Sequence, residues 1–259
     1  MADALPLADK TVVVSRPENQ ADAISLRLSE LGAHVIKFPL IAIEPVDDWS
    51  AQLDLEQFDY LIFTSRNAVD YFFSGLDTNR VKTFASPTRT QIIAAVGKQT
   101  VSALATYGIT TDIVPSDTFN SEALLAQSQL LKVKSAKIAI IRGQRGRGLL
   151  YETLLSRGAE VEYIDVYRRV CPAQDLSVID AYLVENRVDV IMITSAEALQ
   201  NLYNLGGNQQ WLANTSLLIG SQRIADSFDL RKHQGDVIVA DDPSDDQMIG
   251  ALLNWANVA

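Results

Sequence analysis

The sequence has one cysteine, Cys171, and two histidines, His34 and His233. A single thiol cannot close an internal disulfide or build a multi-cysteine zinc or iron–sulfur site, and two histidines add little material for a metal centre. Long apolar runs are also missing. The runs present, such as Val190–Ile193 within Val188–Ile193, suit buried strands and fall well short of the roughly 18 residues of a membrane span. Met1–Lys10 carries two aspartates and no apolar core, so no secretory leader is expected and the cytoplasm is the expected location. Positive charge is scarce: 22 Lys and Arg against 32 Asp and Glu leave a net charge of −10. So acidic a chain is a poor binder of nucleic acid, which needs many phosphate-neutralising cations. A small anion is not excluded, because a local basic patch can exist on an acidic protein. Neither the G-x-x-x-x-G-K-[ST] phosphate loop nor the G-x-S-x-G nucleophile elbow occurs. The run Gly143–Gly148 contains three glycines but not the G-x-G-x-x-G spacing.

What remains is a globular composition, 47% hydrophobic and 21% charged over 259 residues, enough for one large domain or two modest ones. Short β-branched runs alternate with amphipathic stretches. Strands are predicted at Thr11–Ser15, His34–Phe38, Asp59–Phe63, Gln91–Val96, Asp112–Val114, Lys137–Ile141, Glu160–Ile164, Asp189–Ile193, Ser216–Ile219 and Asp236–Val239. Their apolar positions are consecutive rather than alternating, the mark of strands buried on both faces in a parallel α/β sheet. Apolar residues three and four apart predict helices over Pro17–Leu31, Ser121–Leu131, Gly148–Arg157 and Asp245–Trp255. Gly32 and Gly158 follow two of these, where a left-handed cap residue is expected.

The chain repeats itself. Val14-Ser-Arg16 corresponds to Ile140-Ile-Arg142, Leu31–Val35 to Arg157–Val161, Asp59–Ser65 to Asp189–Ser195, Ala95–Gly97 to Leu218–Gly220 and Val114–Asp117 to Val239–Asp242. The five matches keep one order at offsets between 123 and 130 residues, too long for a solenoid and suited to paired domains. Two assemblies are compatible with this. The halves could fold sequentially, split near residue 133. Alternatively, each domain takes its first strand–helix–strand from one half and its remainder from the other. Pro39–Val46 and Asp165–Pro172 would then be the two crossings.

In such sheets ligands bind at the carboxyl ends of strands, on turns that open helices. Six such turns carry Arg16, Arg66, Lys98, Arg142, Arg145, Arg147 and Arg223 against one acid, Glu197, reversing the charge balance of the whole chain. Helix N-termini favour an anion and disfavour an uncompensated cation. Taken singly, each turn is equally well an ordinary Ser, Thr or Asn cap. The fifth turns, at Ser116-Asp117 and Asp241–Asp246, are acidic and are expected to lie away from any anion. His34 is expected to be structural, His233 to sit in a solvated loop, and Cys171 to be no nucleophile.

Together these residues resemble the uroporphyrinogen-III synthase family over essentially the whole chain. The resemblance rests on V-V-S-R-P at Val13–Pro17, F-T-S-R-N-A-V at Phe63–Val69 and A-V-G-K-Q-T at Ala95–Thr100, followed by A-L-A-T-Y-G. It continues through the arginine–glycine turn at Ile141–Gly148, R-G-A-E-V with V-Y-R-R between Arg157 and Arg169, I-T-S-A-E-A-L at Ile193–Leu199 and I-G-S-Q at Ile219–Gln222. It implies two similar flavodoxin-like parallel α/β domains joined by a two-stranded β connection, with the active-site cleft between them. Residues 1–38 and 172–259 would form one domain, 46–164 the other, and 39–45 and 165–171 the connecting strands. It implies cyclisation of the linear tetrapyrrole hydroxymethylbilane to uroporphyrinogen III, with inversion of the last ring, loss of water, and no cofactor or metal. The substrate's eight carboxylates would suit the basic turns.

The resemblance assigns Tyr167, in V-Y-R-R, to departure of the hydroxyl; a phenol is protonated at neutral pH and can donate, while the residues alone are equally compatible with a tyrosine packed in the connector. The resemblance matches Thr100 to a threonine at the cleft and Ser65, Ser195 and Ser221 to polar strand-end positions. From the basic turns, Arg16, Arg66, Lys98, Arg142 and Arg147 are the candidate carboxylate-binding cations, with Arg223 as a further one and Gly143 and Gln222 as neighbouring substrate-binding candidates. Where the family can carry paired threonines after the I-G glycine, this chain has Ser221-Gln222. A monomer is expected, without nucleic-acid or membrane partners, and with transient contact with the preceding pathway enzyme. Two other readings are compatible with the same turns: a non-catalytic tetrapyrrole- or anion-binding module, and a sugar-phosphate enzyme.

Overall fold

A computed structural model describes residues 5–51, 53–86, 88–173, 179, 182, 187–206 and 210–257. Of the stretch Met1–Lys10, residues 1–4 lie outside this set. Ten strands are present among the described residues: β1 Thr11–Val14, β2 His34–Lys37, β3 Ala42–Pro45, β4 Tyr60–Phe63, β5 Ile92–Ala95, β6 Lys137–Gly143, β7 Glu160–Val170, β8 Val190–Ile193, β9 Ser216–Ile219 and β10 Val237–Val239. They form two five-stranded sheets, ordered β10-β9-β8-β1-β2 and β3-β7-β6-β4-β5. By contacts the chain divides into two units, Met1–Ala42 with Val170–Ala259, and Ile43–Arg169.

Each sheet draws on both copies of the repeat. The first unit pairs β1 and β2 with β8, β9 and β10, all in parallel. In chain order within the unit this is 2-1-3-4-5, the flavodoxin-like order. The second unit runs β7-β6-β4-β5, again parallel, and Ala94 bridges Ile113 where a fifth strand would lie. Sequential halves would have kept β1 to β5 in one sheet, which does not occur.

Strand residues feed two opposite cores, as expected when helices cover both faces. Val13, Ile191, Ile193, Leu217 and Ile219 pack with Leu199, Leu202, Trp211 and Ile224. Val12, Val14, Val190, Met192 and Leu218 face Ala21, Ile24, Leu28, Met248, Ile249 and Leu252. The second unit repeats this with Leu61, Phe63, Ile93 and Ile141 under Val69, Phe72 and Leu104, and Ile62, Ala94, Ile138 and Ile140 under Leu124, Leu150 and Leu154. Each fully buried aliphatic or aromatic side chain contributes about 1.5–3 kcal/mol of burial free energy. Gly32 and Gly158 follow their helices at φ +97° and +85°, conformations a Cβ would strain.

Three local expectations are corrected. Asp112–Val114 makes one bridge rather than a strand, because Asp112 turns its carboxylate onto the Ile93 N–H and its own N–H onto the Ile93 carbonyl. The helix expected over Ser121–Leu131 is two short ones, Ser121–Leu125 and Ser128–Leu131, broken where Gln127 is extended at ψ 138°. The strand expected at Glu160–Ile164 does not stop there: it continues through the expected connector to Val170, beside β3 on the sheet edge.

Candidate active site

The turns after β4 and β8 are built alike. Ser65 ends an extended turn (φ −160°) and its Oγ accepts the Ala68 N–H at 3.1 Å, capping the helix Arg66–Ser74. Ser195 accepts the Ala198 N–H at 3.1 Å in the same way, ahead of the helix Ala196–Gly206. These are side-chain caps that satisfy otherwise orphaned helix donors. Gly97 begins the helix Lys98–Thr106, which carries Thr100 in a buried position. Ser221 precedes the four-residue helix Gln222–Ala225 without a side-chain cap, and the Gln222 amide donates to Asp226 at 2.8 Å.

Tyr167 reaches the carboxyl ends of β4 and β6 through an irregularity. Arg142 opposes Asp165, but the next β6 residue, Gly143, opposes Tyr167, so Val166 is an extra residue in β7. Such a bulge re-aims the side chain that follows it. The Tyr167 ring is 5% exposed and packs in the second unit's core. A Cβ on Gly143 would stand 2.5 Å from its Cε2 and Cζ, so glycine is what makes room for the ring. Tyr71 lies 5.7 Å away, centroid to centroid. Burial, helped by the charges of Asp70 and Glu44, pushes the Tyr71 phenol up; it keeps its proton and donates to the Ile43 carbonyl at 2.7 Å. The Tyr167 hydroxyl lies 3.3 Å from Ser65 Oγ.

The candidate cations are more engaged than the sequence implied. Arg16, part-buried, pairs with Asp245 and donates to the Pro243 carbonyl at 2.7 Å. The fifth turn of the first unit therefore meets a candidate cation. Its register explains this: the helices Glu18–Glu30 and Asp245–Ala256 share one core, and Arg27–Asp246 is a second pair along them at 2.7 Å. Arg142 sends Nε to Asp165 Oδ1 and to the Gly143 carbonyl, both at 3.1 Å, and lies 4.0 Å over the Tyr163 ring. Burial raises the Tyr163 pKa, with Arg142 acting to lower it. Arg66 pairs with Asp70 at 3.3 Å and Arg147 with Glu122 at 2.7 Å, both exposed. Lys98 lies 4.8 Å over the Phe119 ring. Among the described residues, Lys98, Arg145 and Arg223 have no carboxylate partner.

Sequence reasoning missed Asp165, Asp245, Tyr71 and Tyr163; the only signal for the last two was their placement on the helix after β4 and on β7. It also misplaced His233, which is half-buried rather than solvated, with Nδ1 3.2 Å from the Tyr203 hydroxyl. Burial holds its pKa below the ordinary value, opposed by a hydrogen bond with the Thr215 backbone. His34 stacks on Tyr182 at 5.7 Å, at the amino end of β2. Cys171 is exposed, with its thiol pushed up by the burial it has. No group of three or more metal-ligating side chains occurs among the described residues, and no helix there is long and apolar enough to cross a membrane. A broad hollow lined by Leu55, Arg80, Phe84, Arg89 and Gln91 sits at the opposite, amino ends of β4 and β5. Its arginines are committed to backbone carbonyls of Ser50, Leu53, Gln91 and Thr110.

The family model described as "Uroporphyrinogen-III synthase HemD" matches residues 22–250. The chain belongs to the uroporphyrinogen-III synthase family. Uroporphyrinogen-III synthase of Escherichia coli K12 is 30% identical over 251 residues, covering 93% of this chain and 99% of that protein. The Synechococcus elongatus uroporphyrinogen-III synthase is 28% identical over 97% of each chain. Among solved structures, the uroporphyrinogen-III synthetase of Helicobacter pylori 26695 aligns at a TM-score of 0.64 and 15% identity, over 95% of this chain and 99% of that one. A mutant uroporphyrinogen III synthase of Thermus thermophilus aligns at 0.55 and 20% identity, over 96% and 98%. At these identities the two structures speak to the fold, which is the family's.

Proposed function

We propose that this chain closes hydroxymethylbilane to uroporphyrinogen III, with Tyr167 as the proton donor to the departing hydroxyl. The observation that carries the assignment is the Tyr167 phenol, set by a bulge and by Gly143 at the carboxyl ends of β4 and β6 and hydrogen-bonded to the capping serine there. Protonation turns a poor leaving group into water and leaves an azafulvene cation. Attack at the substituted α-carbon of the last ring forms a spiro intermediate, which fragments and re-closes with that ring inverted. Unguided closure gives the uninverted isomer, so the protein's larger task is to hold one substrate conformation. Arg16, Arg66, Lys98, Arg142, Gly143 and Arg147, with Thr100, Ser195, Ser221 and Gln222, supply cations, hydroxyls and backbone donors for its carboxylates, and Arg223 adds a further cation. The reaction as read needs no cofactor. The reading extends to a cytoplasmic monomer that makes transient contact with the preceding pathway enzyme; cell fractionation and sedimentation test the first two points.

The deciding experiment incubates the protein with freshly made hydroxymethylbilane and separates the uroporphyrin isomers after oxidation. Isomer III in excess supports the synthase. Isomer I alone overturns it, and tight tetrapyrrole binding in that case would identify a binding module. Tyr167→Phe is expected to slow turnover while leaving product affinity nearly intact; unchanged turnover removes the acid role.

A further inference from the structure

We propose that Ser65 is a positioning residue for the Tyr167 phenol, donating its own O–H to the phenolic oxygen, rather than a substrate ligand. The inference rests on the reading of Tyr167 as proton donor. A serine hydroxyl has one proton and two acceptor sites. One acceptor site of Ser65 is taken by the Ala68 N–H at 3.1 Å, which leaves its proton to place. Ser195 performs the same capping duty in the other unit at the same distance. What distinguishes Ser65 is the phenol oxygen of the buried Tyr167, 3.3 Å from its Oγ. Tyr71 does not compete for that oxygen, since its hydroxyl donates to Ile43.

The direction of the Ser65–Tyr167 bond matters. If the phenol donated to Ser65, its proton would be engaged away from substrate. With Ser65 as donor, the phenol O–H is free. When the Tyr167 O–H bond breaks, its proton joins the substrate hydroxyl, the carbon–oxygen bond breaks, and its electron pair leaves with water. The phenolate left behind then receives a charge-assisted O–H···O⁻ bond from Ser65. Ser65 also sits at the positive end of the nine-residue helix it caps, which favours the same charge. The proton released from the free α-carbon at ring closure restores the phenol, so the cycle balances. A 3.3 Å separation before charge develops is in keeping with bonds that tighten only in the reacting complex.

The test is a double-mutant cycle on the full chain, reading kcat and KM separately for hydroxymethylbilane. Ser65→Ala is expected to lower kcat about ten-fold, the scale of one hydrogen bond to a charged group, with KM within about two-fold. Ser65→Thr, which keeps hydroxyl and cap, restores kcat. In the Tyr167→Phe background Ser65→Ala costs less than about two-fold more. Ser65→Gly is run beside Ser65→Ala, because helix caps tolerate glycine better than alanine; the same kcat loss in both separates the hydroxyl from the cap. If Tyr167→Phe alone leaves kcat unchanged, the acid reading falls and this proposal with it. If Tyr167→Phe is slow but Ser65→Ala keeps its kcat, raises KM instead, or slows the Phe background as much as the parent, the positioning role alone is overturned.

Discussion

Replacing Gly143 with alanine strikes the placement of Tyr167 without touching any ionisable or hydroxyl group. The added Cβ would lie 2.5 Å from Cε2 and Cζ of the Tyr167 ring, whereas ordinary contact begins near 3.4 Å. The ring must retreat by about 0.9 Å, the difference between those distances. It has little room to do so, being 5% exposed and packed in the second unit's core. Overpacking of this kind costs about 1–3 kcal/mol, and a chain of this size loses about 2–4 °C of melting temperature per kcal/mol. The phenol oxygen sits 3.3 Å from Ser65 Oγ, near the outer limit of a hydrogen bond, so a shift of that size breaks or distorts the contact. Gly143→Ala is therefore expected to melt several degrees lower and to lower kcat about ten-fold or more. Differential scanning calorimetry and the isomer assay measure the two effects. The clash involves ring carbons, so Tyr167→Phe leaves it in place while Tyr167→Leu removes it. In the Tyr167→Leu background, Gly143→Ala should cost little further stability. An unchanged melting temperature in the single variant, or a full penalty persisting in the Leu background, would refute the packing argument.

Arg142→Ala is expected to raise KM more than Arg16→Ala, because Arg142 spends only Nε on Asp165 and Gly143 while both terminal nitrogens of Arg16 are taken; equal effects count against the ranking. His233 has its folded pKa below the unfolded value of 6.5 through burial. Its contribution is thus intact above about pH 6.5 and is lost as pH falls through the lower, folded value. Thermal melts from pH 7.5 down to 5.5 should fall less steeply for His233→Gln, and parallel curves would contradict this. Two glycine substitutions should differ in sign. Gly235→Ala would set its Cβ 2.6–2.7 Å from the backbone of Asn214 and Thr215 and should destabilise by about 1–3 kcal/mol. Gly250→Ala, in the helix Asp245–Ala256 with open space around it, should stabilise by about 0.5–1 kcal/mol. Denaturant melts of both variants decide the pair.

The sequence made the strands legible because burial on both faces leaves an uninterrupted apolar run, as in Val12–Val14 and Val190–Ile193. It carried the strand-end turns equally well, since Ser65 and Ser195 cap helices through bonds only three residues long. The internal offset narrowed the assembly to two options but could not choose between them, because strand pairing is a contact between distant residues. The same reason hid the site's wiring. Ser65 and Tyr167 are 102 residues apart, and Arg16 and Asp245 are 229 apart. No local pattern encodes such contacts. The Val166 bulge is invisible for a related reason: an extra residue in one strand has meaning only against its partner. Where periodicity misled, at Ser121–Leu131, the apolar spacing continued through a break that Gln127 makes with its backbone.

The pairing of the cations bears on how an acidic chain, at −10, can serve a polycarboxylate. Free arginines at helix starts would be electrostatically unfavourable while the site is empty. Here the chain supplies its own carboxylates, and the pairs fall into two kinds. Arg66–Asp70 and Arg147–Glu122 are exposed, and exposed pairs contribute about 0–1 kcal/mol. A ligand carboxylate can displace such a partner at little cost. Arg16–Asp245 and Arg142–Asp165 are largely covered on the arginine side. Breaking a covered pair is costly, so those acids hold the guanidinium in place and do not yield it. For Arg142 the holding is edge-on, through Nε, with the Tyr163 ring beneath, which leaves its fork of terminal N–H groups uncommitted to any carboxylate among the described residues, the donor pair a bidentate carboxylate would use. Lysine at this position would keep the charge and lose both the stacking and the fork. The acidic residues that lower the chain's net charge are therefore, at these turns, part of what prepares its cations.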